Sequence, residues 1–285
     1  MTESGHPDSL PVSGAITSVH NERIKRVRKL ARKKHRKNEG QVLVEGVRTL
    51  RSALAAELKL DALFCSREFL AEARYSDLLT RAAGLGAEIF SVSEEIMKSL
   101  ATVATSQGVV GVAWRPAWTA AGVLAAAEDL ARRGRRALLL WFDRLSDPGN
   151  LGTIIRTAHG LGAAGYFSSP DTVEAFNPRS VRAAAGSSFF LPGAEGVQPE
   201  SMLSRLTTGG YLVVAAAARG GVPLRDLDPT TRMLLLVGEE AGGLSDEMAS
   251  RADVTVTIPM TPEVESLNVA AAAAIILHHV SPLRS

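Results

Sequence analysis

From about residue 135 onward, runs that are apolar throughout alternate with stretches of helical patterning. This alternation constrains the fold more than any other feature of the chain. "ALLLWFD" (137–143), "GAAGYFSS" (162–169), "YLVVAAA" (211–217), "MLLLVGEE" (233–240) and "VTVTIPM" (254–260) read as strands. Between and after them, "DPGNLGTIIRTAHGLGA" (147–163), "PRSVRAAAGSS" (178–188) and "SLNVAAAAAIILHHV" (266–280) read as helices. In the first of these Leu151, Ile154, Ile155 and Ala158 share one face, and Asn150 is a candidate N-cap. Strands without polar alternation are buried on both faces. With intervening helices they imply a parallel α/β sheet covered on each side.

The preceding part holds a smaller α/β unit. "QVLVEGV" is a strand, followed by a helix near 48–58. "LDALFCS" is a second strand, with a long helical stretch after it to about Gly84. "AEIFSV" is a third strand, Ser93 with Glu94 and Glu95 opens a short helix, and "GVVGVAW" is a fourth strand. "RPAWTAAG" then breaks the pattern. The expected division is a flexible tail at 1–15, a unit at 16–115, a linker and helix at 116–134, and a second unit at 135–285. There is no internal repeat.

The chain of 285 residues carries a formal charge of +2, which hides a strong asymmetry. Residues 21–37, "NERIKRVRKLARKKHRK", hold ten Lys or Arg against one Glu. That segment is +9, so the rest of the chain is −7. Ile24, Val27, Leu30 and Ala31 recur at helical spacing within it, which predicts one amphipathic helix with a basic outer face. Such a density of like charge repels itself without an anionic partner, and nucleic acid is the partner it fits. A membrane surface fits less well, because the apolar face is small and lacks Trp and Phe. The candidate nucleic-acid contacts are Arg26, Arg28, Lys29, Arg32, Lys33, Lys34, Arg36 and Lys37.

No apolar run approaches the roughly 20 residues of a membrane span, and no secretory signal pattern opens the sequence. Cys65 is the single cysteine, so no disulfide forms within the chain, and a cytoplasmic location is expected. It sits in a strand-like run and reads as a small core residue. No metal site is expected: His278 and His279 are adjacent on a helix and point in different directions. The G-x-G-x-x-G of a dinucleotide site is absent, as are a phosphate-binding P-loop and G-x-S-x-G.

Polar and glycine-rich clusters instead follow three of the strands. "DPGNLG" follows "LLLWFD", "GEEAGGLS" follows "LLLV", and "PMTPEVESLN" follows "VTVTI". Open α/β sheets bind ligands beyond the carboxyl ends of their strands, so the three clusters should meet at one edge.

These clusters carry a resemblance. "NLGTIIRTA", "LLLVGEEAGGLS" and "VTVTIPMTPEVESLNVAAAAAI" resemble, in order and spacing, the three motifs of the SpoU (TrmH-like) branch of the SPOUT RNA methyltransferases. "IKRVRKLARKKHRK", "VLVEGVRTL" and "TSQGVVGVA" resemble the L30e-like RNA-binding domain often fused in front.

The resemblance implies an α/β fold whose C-terminal parallel-sheet domain contains a deep trefoil knot, preceded by a smaller α/β L30e-like domain. It implies a homodimer that uses S-adenosylmethionine to methylate a ribose 2′-hydroxyl of RNA. Ribosomal RNA (23S) is favoured and transfer RNA is the alternative. Cofactor contacts carried over are Ala217, Gly238, Ile258, Met260 and Leu267. Catalytic positions carried over are Asn150, Arg156, Glu240, Ser266 and Asn268. In the family an arginine at the position of Arg156 lies near the target ribose. The second motif departs from the usual Gly-Asn-Glu-Gly, reading Gly238-Glu239-Glu240-Ala241.

Each polar position also has a structural reading. Asn150 caps a helix, Ser266 and Asn268 cap the last one, and Glu240 pairs with Arg219 or Arg251. A non-catalytic RNA-binding or ribosome-assembly factor of the same fold is the rival function, and the intact polar set argues against it.

Overall fold

The computed structural model describes residues 11–229, 232–240 and 242–283. The chain divides into two units, Met1–Pro116 and Ala117–Ser285.

The first unit runs β1 (Val12–Ile16), α1 (Glu22–Lys29), α2 (Lys33–Glu39), β2 (Gln41–Glu45), α3 (Val47–Ala55), β3 (Leu60–Ser66), α4 (Arg67–Ala71), α5 (Ser76–Gly84), β4 (Glu88–Val92), α6 (Glu94–Leu100) and β5 (Val109–Trp114). Its sheet has the order β1-β4-β3-β5-β2, with β1, β4 and β3 parallel and β5 antiparallel to both neighbours. Ile24, Val27 and Leu30 join Phe64, Phe90 and Val112 in its core.

Three expectations for this unit change. Val12–Ile16 is a strand, not part of a tail: it pairs with β4, and the Ser13 hydroxyl accepts from the Ile89 amide at 3.1 Å. The stretch leading to Gly84 is two helices separated by a single 3-10 turn, Ala73–Tyr75. Phe69 and Tyr75 stack across that break with ring centroids 4.3 Å apart. The basic segment is also two helices. Arg32 is extended, and the buried Arg36 turns back so that its Nη1 donates to the Leu30 carbonyl at 2.8 Å. That bond satisfies one of the carbonyls orphaned where α1 ends. Ala31, at the break, is exposed.

The second unit runs α7 (Ala120–Arg132), β6 (Leu138–Phe142), α8 (Pro148–Gly160), β7 (Gly165–Ser168), α9 (Pro178–Ala183), β8 (Gly193–Glu195), α10 (Pro199–Thr208), β9 (Leu212–Ala216), β10 (Val222–Pro223), β11 (Met233–Val237), α11 (Asp246–Ala249), β12 (Val254–Thr257) and α12 (Val269–His279). The sequence patterning did not resolve β8, β10, α10 or α11. The seven strands have the order β10-β12-β9-β11-β6-β7-β8, and every pairing is parallel. Successive β6 residues serve opposite cores, as the period of a strand requires. Leu138, Leu140 and Phe142 pack with Ile154, Ile155, Ile276 and Leu277, and Leu139 and Trp141 pack with Val123, Leu203 and Leu206. The chain leaves β6 toward β7 and β8 on one side, while β9, β11 and β12 lie on the other. The carboxyl edge beside β6 is therefore a topological switch point.

Candidate active site

Helix α8 starts three residues earlier than the sequence suggested. Asp147, not Asn150, is its N-cap: the Asp147 Oδ1 accepts from the Asn150 amide at 2.8 Å, and Pro148 takes the first helical position. Asp-Pro suits this role, because proline has no amide to leave unsatisfied. The Asp147 Oδ2 also pairs with the Arg179 Nη2 at 3.3 Å. The cap frees the Asn150 side chain. Its Nδ2 donates to Glu240 Oε1 at 2.6 Å, and its Oδ1 accepts from Asn268 Nδ2 at 3.1 Å. Asn268 Oδ1 meanwhile caps α12, accepting from the Ala270 and Ala271 amides at 2.9 and 3.3 Å. One residue from each of the three motifs thus joins a single chain of hydrogen bonds. Among the described residues, Glu240 pairs with neither Arg219 nor Arg251.

The segment after β11 folds back on itself. Glu239 and Gly243 exchange backbone hydrogen bonds of 3.0 and 2.9 Å. The buried Asp143 at the end of β6 accepts from the Ser245 amide at 2.8 Å and fixes the far side of this turn. Sequence reasoning missed Asp143, and its only signal was an acid closing an apolar strand. At Gly238 the backbone of 243–244 comes so close that a Cβ would overlap it.

Beside this turn lies a cavity of about 550 Å³ at the carboxyl ends of β9, β11 and β12. Ala217, Gly238, Ile258, Met260 and Leu267 all line it, together with Glu240 and Ser266. The alanines at 215–218 and Ala272 and Ala273 of α12 keep its walls low. Among the described residues, its charged lining residues are Glu239, Glu240 and Glu265. Among the described residues, the Leu267 backbone groups have no hydrogen-bond partner, so they remain available to a ligand. Small walls, free backbone groups and an acidic lining suit a compact, cationic, adenosine-sized molecule, and the volume lies within the usual range for such sites. Ala241 lies outside the described residues. Ser266 lines the cavity but does not cap α12.

Arg156 is the exception. It is exposed on α8, has no ion pair or hydrogen bond among the described residues, and does not line the cavity. A helix that joins two parallel strands runs back from their carboxyl edge. Six residues beyond Asn150, Arg156 is therefore about 9 Å further along the axis and away from that edge. Within one chain Arg156 therefore lies apart from the Asn150–Glu240–Asn268 network.

The basic residues divide in the same way. Lys29, Arg32, Lys33, Lys34 and Lys37 are exposed. Arg28 is exposed while donating to the Val19 carbonyl at 2.9 Å. Arg26 is engaged by Gln41 at 3.1 Å and Glu39 at 3.3 Å. Arg36 is only 2% exposed, because the α1–α2 break needs its guanidinium inside; it is removed from the set of surface contacts.

Residues 137–278 match the SpoU rRNA Methylase family, and residues 21–111 match the MRM3-like substrate binding domain. The 23S rRNA (guanosine(2553)-2′-O)-methyltransferase RlmP of Bacillus subtilis is 30% identical over 265 residues, covering 93% of this chain and 98% of that protein. The chain belongs to the SpoU rRNA methylase family. Its SpoU domain holds the cavity and the Asn150–Glu240–Asn268 network. The 23S rRNA (uridine(2479)-2′-O)-methyltransferase of Streptomyces viridochromogenes is 38% identical over 159 residues, 53% of this chain and 55% of that protein. Two solved methyltransferase structures align along most of the chain. The AdoMet-bound rRNA methyltransferase of Sinorhizobium meliloti gives a TM-score of 0.81 at 29% identity, over 95% of this chain and 97% of that one. The SpoU methyltransferase AviRb of S. viridochromogenes, in complex with AdoMet, gives 0.80 at 29% identity, over 93% and 98%. No group of three His, Cys, Asp or Glu among the described residues is placed to hold a metal, and no described helix is long and apolar enough to cross a membrane.

Proposed function

We propose that this SpoU methylase transfers the methyl group of S-adenosylmethionine to a ribose 2′-hydroxyl of 23S ribosomal RNA in the cytoplasm. The observation that carries the reading is the meeting of Asn150, Glu240 and Asn268 at the rim of a small-walled acidic cavity. S-adenosylmethionine supplies a methyl group activated on a sulfonium, and the cavity's carboxylates match that positive charge. The backbones at Gly238, Ile258 and Leu267 hold the cofactor, with Ala217 and Met260 at its walls.

The chain's remaining task is to orient a weak nucleophile and to manage its proton. The Asn150–Glu240 pair and Ser266 orient the ribose hydroxyl, and Asn268 fixes Asn150. Arg156 grips the target phosphate with its planar fork and stabilises the developing alkoxide. A guanidinium is not a base at neutral pH, so the proton passes to the phosphate or to water.

This role requires a second copy. We place Arg156 in the cavity of a homodimer partner, with α8 and α12 at the interface. Ala271, Ile275 and His278 form an exposed stripe on α12 at i, i+4 and i+7, and Ile275 is 43% exposed, unusual for an isoleucine on a well-packed helix. Family membership supports a trefoil knot formed where the chain passes through 258–268 into α12. It also supports an L30e-like character for the first unit, with Lys29, Arg32, Lys33, Lys34 and Lys37 reaching RNA phosphates.

The test is ribose-methylation mapping of 23S rRNA from cells with and without the gene, followed by incubation of the unmodified rRNA with purified protein and labelled S-adenosylmethionine. One 2′-O-methyl that disappears in the cells and returns in the tube is expected. Identical maps, with no incorporation in vitro, would refute the reading.

A further inference from the structure

The first unit carries a second concentration of positive charge, away from the 21–37 segment. Arg51 of α3, Arg74 of the 3-10 turn and Arg81 of α5 line one open concavity of about 400 Å³ with Leu54, Leu78 and Asp77. Helix α3 sends one arginine to it, the consecutive 3-10 turn and α5 send the other two, and all three are exposed. Among the described residues, three arginines face two acids there: Asp77, which has no arginine within ion-pair distance, and Glu72, which pairs with Arg74. The concavity therefore keeps a net positive charge.

Two of the guanidinium groups are held in place. Arg81 Nη2 donates to the Leu54 carbonyl in the last turn of α3 at 3.0 Å. That single bond caps the helix and leaves four N–H donors. Arg74 lies over the Tyr75 ring, 4.9 Å from its centroid, with its Nε paired to Glu72 at 3.1 Å. Tyr75 is backed in turn by Phe69. Arg51 has no partner among the described residues. Preorganised guanidinium forks around an open hollow match the geometry of phosphate oxygens, which a fork binds bidentately. Free lysines on a convex helix surface do not offer this.

We infer that Arg51, Arg74 and Arg81 form a phosphate cradle that holds the sugar–phosphate backbone of the RNA substrate, separate from the contacts of the 21–37 segment. This rests on the reading of the protein as an enzyme acting on 23S rRNA. The cradle contributes register and affinity, not base recognition, because phosphate contacts carry no sequence information.

The experiment measures binding of deproteinised 23S rRNA to the full chain over a series of KCl concentrations. R51Q/R74Q removes two cradle arginines and spares Arg81, which also caps α3. R132Q/R133Q removes the same charge from the C-terminal end of α7, where both arginines pair with Asp129. Losing two phosphate contacts should flatten the slope of log K against log salt by about 1.4 to 1.8, a loss of roughly ten- to thirtyfold in affinity near 0.15 M salt. R132Q/R133Q should stay within about threefold of wild type. Calorimetric titration with S-adenosylmethionine should give the wild-type Kd for both variants. An unchanged slope in R51Q/R74Q overturns the cradle, as does equal weakening in R132Q/R133Q. Failure of the wild-type chain itself to bind 23S rRNA would instead overturn the functional reading beneath it.

Discussion

Replacing Gly238 with alanine tests whether the turn after β11 is the rigid part of the cavity. Gly238 does not have a left-handed backbone, so the substitution meets only a problem of space. The new methyl would overlap the Gly243 carbon and the Leu244 nitrogen, and it would lie 2.5 Å from the Gly243 oxygen, where ordinary contact begins at 3.4 Å. The opposing strand of the turn must retreat by about 1 Å. It is held there by the two Glu239–Gly243 hydrogen bonds and by Asp143 on the Ser245 amide. Breaking the paired bonds at about 1 kcal/mol each, or accepting the overlap at about 1–3 kcal/mol, gives a cost near 2 kcal/mol. If that cost falls on the ligand-bound geometry, Kd for S-adenosylmethionine rises roughly thirtyfold. Gly160→Ala, at the end of α8, supplies the contrast. Its methyl meets nothing within 4 Å, so the change should be neutral or slightly stabilising. Isothermal calorimetry and thermal melting of both variants decide the matter. A G238A protein that binds within twofold of wild type would show that the turn yields freely and that the packing argument is wrong.

Arg156→Ala should leave the melting temperature and cofactor affinity unchanged, because the side chain is exposed and unpaired, yet cut methyl transfer by roughly a hundredfold or more. Arg156→Lys should recover little of it, and single-turnover assays that find near wild-type rates for the lysine variant would disprove the need for a planar fork. Ile275→Glu should turn the proposed dimer into a monomer in light scattering and abolish transfer; a dimer that survives the change would move the interface elsewhere. Burial pushes the Cys65 thiol up to about 12, so native protein should resist iodoacetamide at pH 8 and react only on unfolding. The unfolded thiol ionises first as pH rises through about 9, so this residue lowers stability progressively between pH 9 and 12. Rapid labelling of folded protein would contradict the buried assignment.

The strands of the second unit were legible because burial on both faces removes polar residues from them. Leu138, Leu139 and Leu140 carry no other message. What escaped was short or depended on distant partners. Val12–Ile16 gives a mixed string, "VSGAI", and its strand character comes from pairing with β4 and from Ser13 bonding the Ile89 amide. The break in the basic segment depends on Arg36 reaching the Leu30 carbonyl, which no charge count reveals. At the site, motif order singled out Gly238, Glu240 and Asn268; the fold puts Glu240 and Asn268 on Asn150, and Gly238 and Glu240 on one cavity wall. Helical spacing alone favoured Asn150 as a cap, although the adjacent Asp-Pro was the better signal. The position of Arg156 could not be read from one sequence, because the face it serves is settled by how α8 runs back across the sheet.

Gly152 in the first motif gives the resemblance an unexpected meaning. A Cβ there would overlap the Ser180 carbonyl and come within 2.8 Å of the Ala183 methyl and 3.0 Å of the Ala184 nitrogen. The glycine faces α9 and does not line the cavity: it is the joint where two helices cross backbone to backbone. Any descendant that keeps this scaffold must keep the joint, even if it has stopped modifying RNA. Part of what makes "NLGTIIRTA" recognisable is therefore a record of construction, and a chain could carry that signature long after its chemistry was lost. Survival of activity along such a lineage is better judged from residues the scaffold does not need, and exposed, unpaired Arg156 is one of these.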